Sequence, residues 1–286
     1  MENGVQNKIF IIILSIFSLS TFSEEFKVKK TWFGDPDIQG VWTNASLTTL
    51  ERPDHFDTLE ISDEVADYAK KASQDFNEIL DNPYEEGETP ESGGDVGGYN
   101  VAWMDPGNDF IRLNGKYRSS ILTYPENGKL PRRLTRWAIE GPSIYRMFNS
   151  ADHPEERSLG ERCIVGFGSS GGPPMLNVLY NNHYQIVQSP GYVMIMVEMN
   201  HDARIIRLDS EHNPDAMRPW LGDSIGWWEG DTLVVKTKNH HPQQKFRAAI
   251  RHQILMMDGA EVIERFTRTS ENEILYEFEV NDKKAY

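Results

Sequence analysis

The sequence predicts a mainly β fold, an antiparallel barrel or sandwich with one or two helices from the N-terminal third packed on it. Three observations lead there. From residue 183 onward the chain runs in short apolar stretches of period two. Those stretches are separated by Gly-containing turns. Before them a single long segment carries a clear helical period, and 286 residues that are 38% hydrophobic can bury a sizeable core.

At the N-terminus Lys8 precedes IFIIILSIFSLSTFS, which gives way at Glu24 and Glu25 after the small residues Thr21 and Ser23. That is the layout of a signal peptide over residues 1–23. Its apolar core is short for a membrane span, and no Cys stands at the break to carry a lipid. The expected mature protein is periplasmic or secreted, without stable membrane insertion, and residues 24–286 are read as one β-rich domain.

Residues 26–37 read as a tether, and IQGVWTNASL as a first strand with Gly40 at the turn and Trp42 as a packing anchor. In ISDEVADYAKKASQDFNEIL, Ser62 is an N-cap candidate, and Val65, Tyr68, Ala69, Ala72, Phe76 and Ile79 recur at helical spacing. A long acidic loop rich in Gly and Pro follows near 81–98. FIRLNG and SSILTY read as strands, Asn127-Gly128 as a turn, and LTRWAIEGPSIYRMF as a short second helix. Residues 149–176 are loop-like, a length of irregular chain that often carries function.

In the second half HYQIVQ and YVMIMVEM flank Ser189-Pro190-Gly191, IGWW and TLVVKTK flank Glu229-Gly230-Asp231, and HQILMM and EVIERFTR flank Asp258-Gly259. Each reads as a hairpin. In EILYEFEV, Ile274, Tyr276, Phe278 and Val280 share one face while Glu277 and Glu279 take the other. Strands joined this way from 231 to 280 form an up-and-down meander that closes into a barrel or curls into a sandwich.

The stretches YNVAWMDPG, RSLGERCI, PPMLNVLYNNHYQIVQSPGYV, EMNHDARIIRLD and GDSIGWWEGDTLVVKTKN resemble a family of exported bacterial proteins, over most of the chain after the signal peptide. The resemblance implies export and no particular activity. Gly40-x-Trp42 with the C-terminal meander is similar to the opening and closing of lipocalin-like barrels, which hold small apolar ligands.

The formal net charge of −15 repels nucleic acid, anionic lipid and polyanionic polysaccharide, so no nucleic-acid partner is expected. Cys163 is the only cysteine, which rules out an intramolecular disulfide and reads better as a small packed residue than as a nucleophile. GSSGG at 168–172 matches Gly-x-Ser-x-Gly on paper, with Ser170 in the nucleophile position. Pro173-Pro174 follow at once where the elbow needs a helix, and no Gly-Lys-Ser/Thr supports a phosphate cradle. His183, His201, Asp202, His240 and His241 show no His-x-His or His-Glu-x-x-His spacing, so neither a metal site nor a cofactor is expected.

The chemistry-bearing stretch is EMNHDARIIRLDS at 198–210, which follows the apolar YVMIMV. If that strand continues, alternation puts His201 on the face of Val193, Ile195 and Val197, at the rim of an apolar interior where a neutral imidazole can act as acid or base. Arg204 would hold a carboxylate or oxyanion, and Asp202 would orient the imidazole or pair with Arg204. Across the hairpin, Asn181, Asn182, His183 and Tyr184 approach the same end. Arg162 is a candidate second cation, and Asp223 with Trp227 and Trp228 could stack a flat ligand. A satisfied polar turn for HDAR, and one buried plus one exposed Trp, are the alternatives.

The leading expectation is an exported enzyme acting on a small organic molecule through His201, Arg204, Asp202, Tyr184 and His183, by isomerisation, elimination, cyclisation or hydrolysis. A non-catalytic lipocalin-like binding protein, and a polysaccharide lyase or hydrolase with a groove lined by Arg162, Arg204 and Trp228, are the other readings. A homodimer is left open.

Overall fold

Two-residue turns organise the chain, and glycine makes them where the backbone must turn left-handed. The computed structural model describes residues 26–81, 104–131, 152–157, 159–166, 171–244, 246–249, 252–257 and 259–286. The expected signal peptide, the acidic loop and the second helix lie outside these residues. The protein is mainly β, as the sequence predicts, with one described helix.

The principal sheet is a curled half-barrel of eight strands in the order β1-β5-β6-β7-β8-β9-β12-β13. β1 is Gly40–Thr43, β5 is His183–Ser189, β6 is Tyr192–Val197 and β7 is Ala203–Leu208. β8 is Asp223–Glu229, β9 is Thr232–Lys238, β12 is Glu261–Ser270 and β13 is Glu273–Asn281. Pro190-Gly191 joins β5 to β6, the Pro fixing its own φ and Gly191 taking φ 79°. Gly230-Asp231 joins β8 to β9, with Gly230 at φ 64°.

The sheet as a whole is not purely antiparallel. β7 and β8 run parallel, and residues 209–222 cross over between them. The hairpin expected at Asp258-Gly259 is also absent. Both edges of β12 are taken, by β9 and β13, so β11 (His252–Leu255) pairs instead with β10 (Phe246–Ala249) as a separate two-stranded sheet.

A small satellite sheet holds β2 (Glu60–Ile61), β3 (Arg112–Leu113) and β4 (Lys116–Arg118) in the order β2-β4-β3. Asn114 and Gly115, at φ 53° and 77°, make the turn within what reads as FIRLNG. SSILTY forms no strand beyond an isolated bridge from Ser120 to Thr49. Helix α1 (Asp63–Asp81) begins where Ser62 caps it, its hydroxyl accepting the Val65 N–H at 3.3 Å. The helix lies on the satellite sheet through the small residues Ala66 and Ala69, against Phe56, Phe110 and Tyr117. Close approach by two alanines leaves the larger Val65, Tyr68 and Phe76 exposed at 42%, 78% and 60%, so of the apolar stripe legible in the sequence Ala69 packs and these three do not.

The main core fills the inside of the curl with Tyr184, Ile186, Val193, Ile195, Val197, Ile206, Leu233, Val235 and Phe266, closed by Ile38 and Met175. The N-terminal segment is clamped by Gln188, whose side chain accepts the Ile38 N–H at 2.8 Å and donates to the Pro36 carbonyl at 3.0 Å. Among the described residues no helix is long and apolar enough to cross a membrane. Replacing Gln188 by Leu leaves the buried Ile38 N–H without its acceptor and should cost about 1–3 kcal/mol in urea unfolding. A loss below about 0.5 kcal/mol would show that the clamp is not what fixes the segment.

Candidate functional site

The expected projection of His201 fails for a geometric reason. β6 ends at Val197, and the chain reverses through a 3-10 turn, Met199–His201, in which Asn200 and His201 take φ 56° and 54°. β7 then pairs antiparallel with β6, Ile195 opposite Arg204, so the inward positions pass from odd numbers in β6 to even numbers in β7. His201 is exposed at the tip of the hairpin, while Asp202, Arg204 and Ile206 carry the inward phase.

Arg204 is the centre of what the interior holds. Its side chain is 2% exposed and that of Glu264 is 0%. The guanidinium makes a two-pronged ion pair with Glu264, one contact at 3.0 Å through Nη2 and a shorter one through Nη1. Tyr276 donates its hydroxyl to Glu264 at 2.8 Å and accepts the Met175 N–H at 2.8 Å. Arg247, fully enclosed, donates Nε to the carbonyls of Gly172 and Pro173 at 3.2 and 3.0 Å. These contacts seat residues 171–176 across one end of the curled sheet.

Glycines let that segment come close. A Cβ on Gly171 would lie 3.3 Å from both Asp202 Oδ2 and Leu221 Cδ2, and one on Gly172 would lie 2.9 Å from Met175 Cγ and 3.6 Å from Arg204 Cζ. Asp202, half-buried, accepts the Gly166 N–H at 3.0 Å, and burial holds its carboxyl above the usual range against that bond and the charge of His201. Beyond Leu221, Gly222 lies against the ring of His240. His240 is 7% exposed and neither ring nitrogen has a hydrogen-bond partner. Burial first, then the charges of Arg247 and Arg204, push its pKa down to about 3, so the imidazole is neutral near neutral pH.

Left-handed backbone gathers at this same end, at Cys163, Asn200, His201 and Leu221, with φ between 51° and 67°. A bulky residue such as Leu221 in that region is held only when its surroundings over-determine it, as they do at many functional sites.

The other expected residues are placed as follows. Tyr184 points inward, buried, with its hydroxyl 3.2 Å from Asn44 Nδ2 and its pKa pushed up chiefly by burial. His183 is on the outer face, 3.0 Å from Glu198. Asn182 is a buried plug, accepting the Val178 N–H and donating to the carbonyls of Asp105 and Val178, and Asn181 is a left-handed turn residue. Asp223 is on the outer face, where Arg207, His212 and both the backbone and side chain of Asn213 bind its carboxylate. Trp228 packs inward and Trp227 lies outward with its N–H on Glu229, so the two do not form one stacking platform. Arg162 is half-buried, with Nη1 enclosed and unbonded. Cys163 is exposed, which corrects the packed role expected of it.

The sequence marks His240 only as one of several scattered histidines weighed as metal ligands, and it does not single out Arg247 or Glu264. Glu264 had a signal, since Val262, Glu264 and Phe266 alternate onto the buried face of β12. His240 had none, because it lies past the end of β9, and Arg247 had none, because the four residues of β10 are too few for alternation to show which face it takes. Among the described residues no three His, Cys, Asp or Glu side chains are grouped to hold a metal ion.

His240 has a pH consequence. Its folded pKa lies near 3 against 6.5 unfolded, so the unfolded chain binds the extra proton between those values. The corresponding stability is complete above about pH 6.5 and is lost as pH falls toward 3, at up to about 1.4 kcal/mol per pH unit from this one group. Chemical unfolding followed from pH 7 to 4 should show a shallower decline in His240→Gln; equal slopes in the two proteins would exclude a neutral buried imidazole. No protein-family model, curated protein or solved structure matches this chain, and the functional reading therefore rests on these side chains.

Proposed function

We propose that the chain is an exported enzyme acting by acid–base chemistry on a small organic molecule with a carbonyl or acidic group, at the end of the curled sheet where Gly171 and Gly172 run past Asp202 and Arg204 and where His240 is enclosed. The observation that carries this reading is His240, enclosed, with both ring nitrogens unbonded, beside the Arg204–Glu264 pair. Unbonded polar groups cost stability in a fold that serves only itself, and they become useful when a substrate supplies the partners. Support for export comes from the N-terminal sequence.

Each group has a distinct task. Asp202, its carboxyl raised by burial while it accepts the Gly166 N–H, takes or returns the proton. A neutral imidazole at His240 donates one hydrogen bond and polarises the oxygen on which negative charge develops. Arg204, its charge balanced by Glu264, presents its unbonded Nε as a fixed donor that does not exchange a proton. Isomerisation, elimination and cyclisation all need this division between a proton carrier and an oxyanion holder.

The calyx reading has less support, since the inside of the curl is filled by the main apolar core. A polysaccharide groove has less still, because Arg204 and Trp228 face the interior and not an open channel.

The test is untargeted mass spectrometry of a bacterial metabolite extract incubated with the wild-type protein, with Asp202→Asn and with His240→Gln. The expected result is depletion of particular carbonyl or carboxylate compounds by the wild type, reduced at least about 100-fold in both variants, which is the usual weight of one positioned acid–base group. Both variants should keep their thermal midpoint within a few degrees. Equal depletion by wild type and variants, or intact retention of a compound without turnover, would overturn the assignment, the latter in favour of a binding protein.

A further inference from the structure

Leu221 stands in a backbone conformation that a residue of its kind avoids. Its φ is 67°, in the left-handed region that glycine and asparagine occupy at little cost and a bulky apolar residue does not. The next residue, Gly222, is left-handed too, at φ 78°. Together they make the corner by which the crossover from β7 enters β8.

The corner is held from several sides. The Leu221 N–H donates to the side-chain oxygen of Gln244 at 3.0 Å, and Gln244 is itself buried and donates its own N–H to the His241 carbonyl at 2.8 Å. The Gly222 N–H donates to the Pro219 carbonyl at 3.2 Å. Gly222 also lies against His240 and Thr237, where a Cβ would come within 2.7 Å of the imidazole Nδ1 and 2.8 Å of the Thr237 methyl. Surroundings that fix a residue this closely can keep it strained.

The strain places one side chain. Leu221 is 7% exposed, and its Cδ2 lies 3.3 Å from the position that a Cβ on Gly171 would take. Asp202 Oδ2 lies 3.3 Å from that same position. Leucine and carboxylate therefore flank one glycine. A glycine or asparagine at 221 would turn the same corner without strain, and neither would bring a branched hydrocarbon to that place.

We infer that Leu221 is a positioning residue of the proposed reaction, held in a strained corner so that its apolar end shields the carboxylate of Asp202 from water. The inference rests on the reading of Asp202 as the proton carrier. Such a group works best when its proton affinity is raised toward neutral pH, and burial is what raises it here. Its other neighbours act the opposite way: the Gly166 N–H, from the loop, and the charge of His201, from the adjoining turn, both favour the ionised form. The chain at Gly171 brings no side chain at all, so the hydrocarbon at this glycine is that of Leu221.

The test follows the Asp202 side-chain carboxyl by carbon-13 NMR through a pH titration, with the resonance assigned from Asp202→Asn and no substrate present. In the wild type it should titrate above the exposed aspartates. Leu221→Asn, which suits the left-handed corner, should bring it down toward them, and Leu221→Ala should do the same; Leu221→Met, which keeps a hydrocarbon in place, should leave it high. Strain is read from a second pair of variants. Leu221→Gly should unfold at a higher urea concentration than Leu221→Ala, since both lose the side chain and glycine alone also loses the strain. An Asp202 that titrates alike in the wild type, Leu221→Asn and Leu221→Ala, or a Leu221→Ala protein at least as stable as Leu221→Gly, would overturn the inference. Because no substrate enters the titration, the two readings fail separately: a lowered Asp202 in Leu221→Asn, with no compound depleted from the extract by the wild type, would uphold the shielding by Leu221 and sink the enzyme.

Discussion

The fold depends on the ion pair between Arg204 and Glu264 inside the curl. Arg204 is on β7 and Glu264 on β12, with β8 and β9 between them in the sheet. Two side chains so far apart along a flat sheet could not touch, so their contact requires the sheet to bend around them. A buried pair of this kind gains little over apolar residues of the same size, whereas removing one partner costs about 3–5 kcal/mol by leaving the other charge stranded. The pair is therefore better understood as fixing one curvature than as a large source of stability.

What surrounds the pair follows from it. Tyr276 bonds Glu264 with its hydroxyl proton and uses its oxygen lone pair for Met175 N–H, so the chain from 171 to 176 is tied to the same carboxylate. Arg247 holds two carbonyls of that segment from the other side. The glycines at 171 and 172 let the backbone pass close to Asp202 and Arg204, where a Cβ would be tight against Asp202 and would press on Met175. Polar groups that a core normally excludes are thus assembled in order: Glu264 satisfies Arg204, Tyr276 satisfies Glu264, and His240 and Arg204 Nε are left over. Trp228 Nε1, on the inner face, is a further buried donor without a partner, and His240 differs from it in leaving both of its ring nitrogens unbonded.

Much of the β framework was legible because period-two alternation and glycine turns are local. Tyr276, Phe278 and Val280 lie on the inner side as alternation predicts, and Pro190-Gly191 closes its hairpin where expected. Alternation misled at His201 for an equally physical reason: it holds only along one unbroken strand, and the left-handed pair Asn200-His201 reverses the chain before His201 is reached. Reading β7 on its own would have placed Arg204 inward with Ile206, and β12 on its own would have placed Glu264 inward with Phe266. Nothing local connects those two residues.

By itself the sequence determined that the protein is β-rich, that a capped helix precedes most of the strands, and that the chain carries a large negative charge. These are matters of residue type and spacing, settled over a few residues at a time. Tertiary structure decided the rest: the parallel step between β7 and β8, the diversion of β11 to β10, the partner of Arg204 and the enclosure of His240. Each depends on contacts between residues tens of positions apart in the chain, and such contacts exist only once the sheet has curled around the Arg204–Glu264 pair.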